Sequence, residues 1–180
     1  GDSTFILRRL LERGIGNAAI GCFWDLGAIN ICVNAGIGSH FDLRLGGKCG
    51  PASGDPVDMP VTVRNIRAGH TQIGLDGEPT ALGLSVWLEG PGGLQIVLAS
   101  QRSQVFQPDA FTGLGVDLSG LDLIVVKSTQ HFYAGFAPLA ASIHYVSTPG
   151  AIAPEFTTIP YRTRTLDFWP RVADPLGLDT

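Results

Sequence analysis

Hydrophobic and polar positions along the chain switch between two periods. Apolar residues at Phe5, Ile6, Leu7, Leu10 and Leu11 have the spacing of one helix face. Asp2, Ser3 or Thr4 can cap that helix, and Gly14 and Gly16 end it. Residues 18–24 (AAIGCFW) form an uninterrupted apolar run that predicts a buried strand. Asp25 is placed to cap a helix over 26–35, which Gly36 and Gly38 stop, and 40–45 (HFDLRL) alternates like a half-buried strand. Residues 46–60 carry no period and read as a long loop. Strands are predicted at 61–68, 82–88 and 94–100, with Gly90-Pro91-Gly92-Gly93 turning the last two into a hairpin. A short helix follows at 108–114, then a strand at 121–126, a helix-leaning stretch at 129–141 and a strand at 143–146. The last three suggest a βαβ unit. The expectation is an α/β fold: a mixed sheet with flanking helices, antiparallel in the middle. It assigns residues 1–148 to the domain and 149–180 to a Pro-rich extension. Phe168 and Trp169 suggest that the extension packs on the domain or on a partner.

Composition narrows the function classes. The chain has 180 residues, enough for one domain with a sizeable core. Only 16% are charged and 44% are apolar, so part of the surface is expected to lie against a partner. Net charge is −4 with scattered basic residues, which gives no electrostatic footprint for nucleic acid or an anionic membrane. No apolar run is long enough to span a bilayer. Cys22, Cys32 and Cys49 have no paired spacing and read as free thiols of a cytoplasmic protein. The chain opens on Gly1-Asp2-Ser3-Thr4 directly before a helix, which reads as a start in mid-protein.

Three polar clusters interrupt the pattern. The strand at 121–126 ends abruptly in Lys127-Ser128-Thr129-Gln130-His131. In α/β sheets ligands sit beyond the carboxyl ends of strands. Lys127 there can hold an anion and His131 can move a proton; Ser128 or Thr129 can cap the next helix. A second apolar strand ends in Ser100-Gln101-Arg102-Ser103-Gln104, where Arg102 can grip a carboxylate. Both clusters can equally be polar strand ends in solvent. Gly46-Gly47-Lys48 resembles a phosphate loop only superficially, because the Walker spacing is missing. The four histidines have no metal-ligand spacing, and no Gly-x-Ser-x-Gly elbow supports a serine triad.

Four segments carry a family likeness: GDSTFILRRLLERGIGNAAIGCFWD, LRLGGKCGPASGDPV, SQRSQVFQPDAFTGLGVDL and VVKSTQHFYAGFAPLA. The K-S-x-x-H-F stretch at Lys127 and the R-x-Q-x-F-x-P-x-x-F stretch at Arg102 are the most specific. The chain resembles the C-terminal part of MlrC-like metallopeptidases, the microcystinase C relatives. That resemblance implies zinc-assisted hydrolysis of peptide or amide bonds, with the zinc bound mainly by an N-terminal half not contained in this chain. It implies a substrate-side wall of the cleft here. From residue type and position, His131 and Lys127 are the candidate catalytic residues, and Ser128, Gln130, Arg102 and Gln101 the candidate substrate-binding ones. No metal ligand is expected from this chain. The expected partners are the protein's own N-terminal half and a small or linear peptide; self-association stays open. The alternative is a stand-alone binding module for small carboxylates or peptides.

Overall fold

The computed structural model describes residues 1–150 and 155–177; the remainder of the Pro-rich extension lies outside the described residues. Its centre is a six-stranded mixed sheet in the order β2-β3-β4-β5-β1-β6. The strands are β1 (Ala18–Phe23), β2 (His40–Leu45), β3 (Val57–Ile73), β4 (Pro79–Glu89), β5 (Gln95–Ala99) and β6 (Leu123–Val126). β2 to β5 pair antiparallel, whereas β1 pairs parallel with β5 on one side and β6 on the other. The expected mixed sheet with an antiparallel middle is what forms.

Side-chain alternation divides the apolar residues between two layers. On β5, Ile96 and Leu98 join the core beneath helices α1 (Phe5–Glu12) and α2 (Leu26–Ala35), together with Leu7, Leu10, Ile29 and Phe23. Val97 and Ala99 face the opposite layer, with Phe111 of α3 (Asp109–Thr112) and Phe136 of α4 (Tyr133–Phe136). β1 sends residues both ways, and all six are buried. This explains why its sequence shows no period: a strand covered on both faces has no polar side to reveal.

Three expectations change. β3 begins at Val57, inside the stretch read as loop, and its burial alternates from there. Pro60 disguised it. That residue pairs with Asp42 of β2, but the β4 ladder starts only at Thr62, so one side of Pro60 is open and a missing N–H is tolerated. The helix expected over 129–141 shrinks to α4 and a 3₁₀ turn, Ala137–Leu139, because Gly135 and Pro138 weaken and then break it. The strand expected at 143–146 does not form. Those residues lie largely exposed, Tyr145 rests on Phe132 at 5.7 Å between ring centroids, and His144 shares a hydrogen bond with Ser142. The parallel crossover runs instead from β5 through α3 to β6, with β1 between the two strands. In the extension, Phe168 is buried against Tyr161 and Arg164, while Trp169 is exposed.

Beyond the body of the sheet, β3 and β4 continue as an arm. Its inner side chains bind the chain that follows β5. His70 Nε2 meets the Ala110 carbonyl oxygen, Gln72 donates to the Gln104 carbonyl oxygen and accepts from Phe106 N–H, and the Ile73 N–H donates to Asp109.

Candidate functional site at the strand ends

Because β5, β1 and β6 run parallel, their carboxyl ends reach the same edge of the sheet. Residues distant in sequence therefore meet: Trp24 after β1, Ser100 to Arg102 after β5, and Lys127 with Ser128 after β6. The Lys127 N–H continues the ladder to the Gly21 carbonyl oxygen at 3.1 Å. Trp24 Nε1 donates to the Ser100 carbonyl oxygen at 3.0 Å, which ties the β1 and β5 tips together. The Arg102 guanidinium stacks over the Trp24 ring at 5.0 Å. The Lys127 ammonium stands 4.4 Å from the Phe23 ring centroid. It donates to the Ser3 carbonyl oxygen at 2.8 Å. Burial draws its pKa down from 10.5 to about 8, although Asp2 and Cys22 oppose that fall.

Of the residues singled out from sequence, Lys127 and Arg102 are brought to one edge over neighbouring aromatic rings. Ser128 Oγ donates to the Gln104 side chain at 2.9 Å, joining the β6 tip to the segment after β5. His131 is exposed and precedes α4, its ring set edge-on to Phe106 at 6.1 Å. Gln101 and Gln130 are exposed. The arrangement is an open platform. Two shallow concavities, of about 100 and about 310 Å3, lie elsewhere and include neither Arg102, Lys127 nor His131.

The loop at 46–56 supports this edge, and its role was missed in the sequence. The Asp2 carboxylate is buried and accepts from Lys48 N–H (2.7 Å), Cys49 N–H (2.8 Å) and Ser53 Oγ (2.7 Å). Gly47 N–H donates to the Asp2 carbonyl oxygen, and Trp24 N–H to that of Gly1. Thr4 does not cap α1 with its side chain; the hydroxyl donates to the Asp55 carbonyl oxygen at 2.7 Å. Burial alone would raise the Asp2 pKa, but the donors from Ser53, Cys49 and Lys48 outweigh it and hold the value at about 2. The anion that this loop cradles is the chain's own Asp2 carboxylate. Its backbone geometry needs glycine. Gly47 has φ of +63°, and a Cβ there would run into the backbone between Asp55 and Pro56.

Asp25 anchors the same loop. Oδ1 caps α2 through Ala28 N–H at 3.0 Å, as the sequence predicts. Oδ2 accepts from Gly46 N–H at 2.8 Å and from Lys48 Nζ at 2.7 Å. A helix cap and a long-range partnership look alike in sequence, which is why the second was not legible.

Among the described residues, no group of three or more His, Cys, Asp or Glu side chains is placed to hold a metal ion. No helix among them is long and apolar enough to cross a membrane.

The geometry defines an α/β domain that presents an open, cation-bearing edge at the ends of three parallel strands. The chain matches the family model described as MlrC C-terminus over residues 1–163, and it belongs to that family. It is 32% identical over 170 residues to microcystinase C from Sphingomonas sp, covering 94% of this chain and 32% of that protein. Its fold matches the crystal structure of a protein from Mesorhizobium sp. BNC1 that is named provisionally as a metallopeptidase. The TM-score is 0.79 and the identity 24%, over 96% of this chain and 35% of that one. The chain thus spans about a third of the length of both relatives.

Proposed function

We propose that this chain is the C-terminal domain of an MlrC-like, zinc-dependent amide hydrolase of the cytoplasm that acts on small or linear peptides. Its strand-end edge forms the substrate-side wall of the cleft. The observation that carries this reading is the convergence of Lys127 and Arg102, from separate strands, on the carboxyl ends of β5-β1-β6. Family membership and the name of the Sphingomonas relative support the chemistry. In this reading the zinc is held mainly by the N-terminal half of the full-length protein; among the described residues of this chain no group of three or more candidate ligands is assembled.

Arg102, exposed and stacked on Trp24, takes the substrate carboxylate in a two-pronged contact. Lys127 keeps two N–H donors beyond the one given to Ser3, and these serve a carbonyl oxygen that gains negative charge during attack. Gln101, Ser128 and Gln130 line the approach, and His131 moves a proton at its rim. The partner surface extends over α2. Its outer side chains Leu26, Ile31 and Val33, with Ile37 beyond its end, are exposed, and the helix carries no charge other than its Asp25 cap. By contrast, α1 turns Arg9 and Glu12 outward. The N-terminal half of the protein is the expected cover.

The test is kinetic and uses the full-length protein with a small linear peptide bearing a free carboxylate. R102A raises KM about 10-fold or more, the value of a charge-assisted hydrogen bond, with thermal stability unchanged. Wild-type kcat falls as pH passes about 8, where Lys127 loses its proton. An R102A enzyme with wild-type KM defeats this assignment. Tight carboxylate binding by the isolated chain would favour the stand-alone module instead.

A further inference from the structure

Lys127 is not held at the strand ends by its own stem alone. Its ammonium is steered by one acceptor, the Ser3 carbonyl oxygen, and by the face of Phe23. The position of Ser3 is set in turn by its neighbours. Asp2 is fastened through its carboxylate to Lys48, Cys49 and Ser53 and through its carbonyl to Gly47. On the other side, Thr4 N–H donates to the Ser53 carbonyl oxygen at 3.0 Å. The 46–55 loop therefore grips the chain on both sides of the one atom that orients Lys127.

We propose that Asp2 is a positioning residue for Lys127: locked into the 46–53 cradle, it places the Ser3 carbonyl oxygen that aims the ammonium along the strand-end edge. The role deepens the function proposed above and rests on it for its catalytic meaning, but the positioning itself can be measured without substrate. This 180-residue chain contains two lysines, Lys48 and Lys127, so the chain labelled with 13C at the lysine ε carbon gives two signals. The groups facing Lys127 are the Asp2 carboxylate, the Cys22 thiol and the Gly1 amino group, which burial, Lys127 and Arg102 together lower to about 6, so that it is already neutral when the lysine titrates. Burial raises the thiol to about 12, so it stays neutral while the lysine titrates.

In the wild type, one lysine signal titrates with a midpoint near 8 and shows a ring-current displacement from Phe23. D2N moves that midpoint to lower pH, because the carboxylate favours the ammonium, and it reduces the ring-current displacement. S53A leaves every charge in place and removes one strand of the cradle. It too reduces the displacement, which a purely Coulombic effect of Asp2 would not do. In the full-length protein, D2N and K127M lower kcat/KM non-additively, so the double variant is no worse than K127M alone. Unchanged Lys127 signals in both D2N and S53A, or additive kinetic losses, would overturn the proposal. If K127M hydrolyses normally while the signals move as described, the positioning stands and the catalytic role of Lys127 fails.

Discussion

Replacing Asp25 by Ala tests how the site edge is built. The carboxylate makes three contacts, each with a separate cost when lost. The cap to Ala28 N–H contributes about 1 kcal/mol. Gly46 N–H would be left without its partner in a buried setting, at about 1–3 kcal/mol. Lys48 Nζ would lose its ion pair, but its side chain is 37% exposed and it also donates to the Arg44 carbonyl oxygen, so that loss is about 0.5–1 kcal/mol. Together D25A destabilises by about 2.5–5 kcal/mol, a large share of the roughly 5–15 kcal/mol that holds a domain together. D25N keeps an oxygen for the cap, but its NH2 group cannot accept from Gly46 N–H or Lys48, so it costs about 2–4 kcal/mol. K48M removes only the exposed partner and costs about 1 kcal/mol or less. Urea unfolding followed by far-UV circular dichroism ranks the three variants. If D25A costs no more than K48M, the carboxylate is not the joint between β1, α2 and the 46–56 loop, and the account of the edge collapses with it.

Two further predictions concern the same scaffold. The folded-state pKa of Asp2, about 2, lies below its ordinary 3.8, so its stabilisation is complete above 3.8 and disappears as pH falls towards 2. Acid unfolding should cost the wild type about 2 kcal/mol across that window, and D2N should lack that part of the slope; identical slopes would mean that the cradle does not hold the ionised form. A Cβ on Gly16 would collide with the Gly92 carbonyl oxygen, backbone against backbone. G16A should therefore lose about 1–3 kcal/mol and lower the melting temperature, whereas G36A, where nothing lies within 4 Å, meets only the strain of its positive φ.

The amphipathic α1, the Asp25-capped α2 and the hairpin around Gly90 were legible because each signal is local: a period, a cap or a turn. The length of β3 was not, because Pro60 is a loop signal unless one knows that the adjoining strand stops short of it. The strand expected at 143–146 failed for a complementary reason. Four apolar-leaning residues satisfy strand propensity, but pairing is decided by which edge is free and whether the chain can reach it. At the site, sequence identified the tips after β5 and β6, since apolar runs that end in dense polar groups stand out. It did not identify Asp2 or Lys48, whose partners lie 46 and 23 positions away. Trp24 read as the end of a buried strand and gave no sign that it would carry Arg102. Register across three parallel strands, which no local pattern encodes, places these residues together.

The arm made by the far ends of β3 and β4 has a practical side. Its stem is stitched to the segment after β5, but its turn, from Leu75 to Pro79, is wholly exposed, and Gly77 has open space around it. Extra residues spliced between Asp76 and Gly77 would project outward, clear of the platform and of the hydrogen bonds that brace it. A fluorophore or affinity handle could be carried there by an otherwise native polypeptide, giving a reporter that leaves both termini untouched.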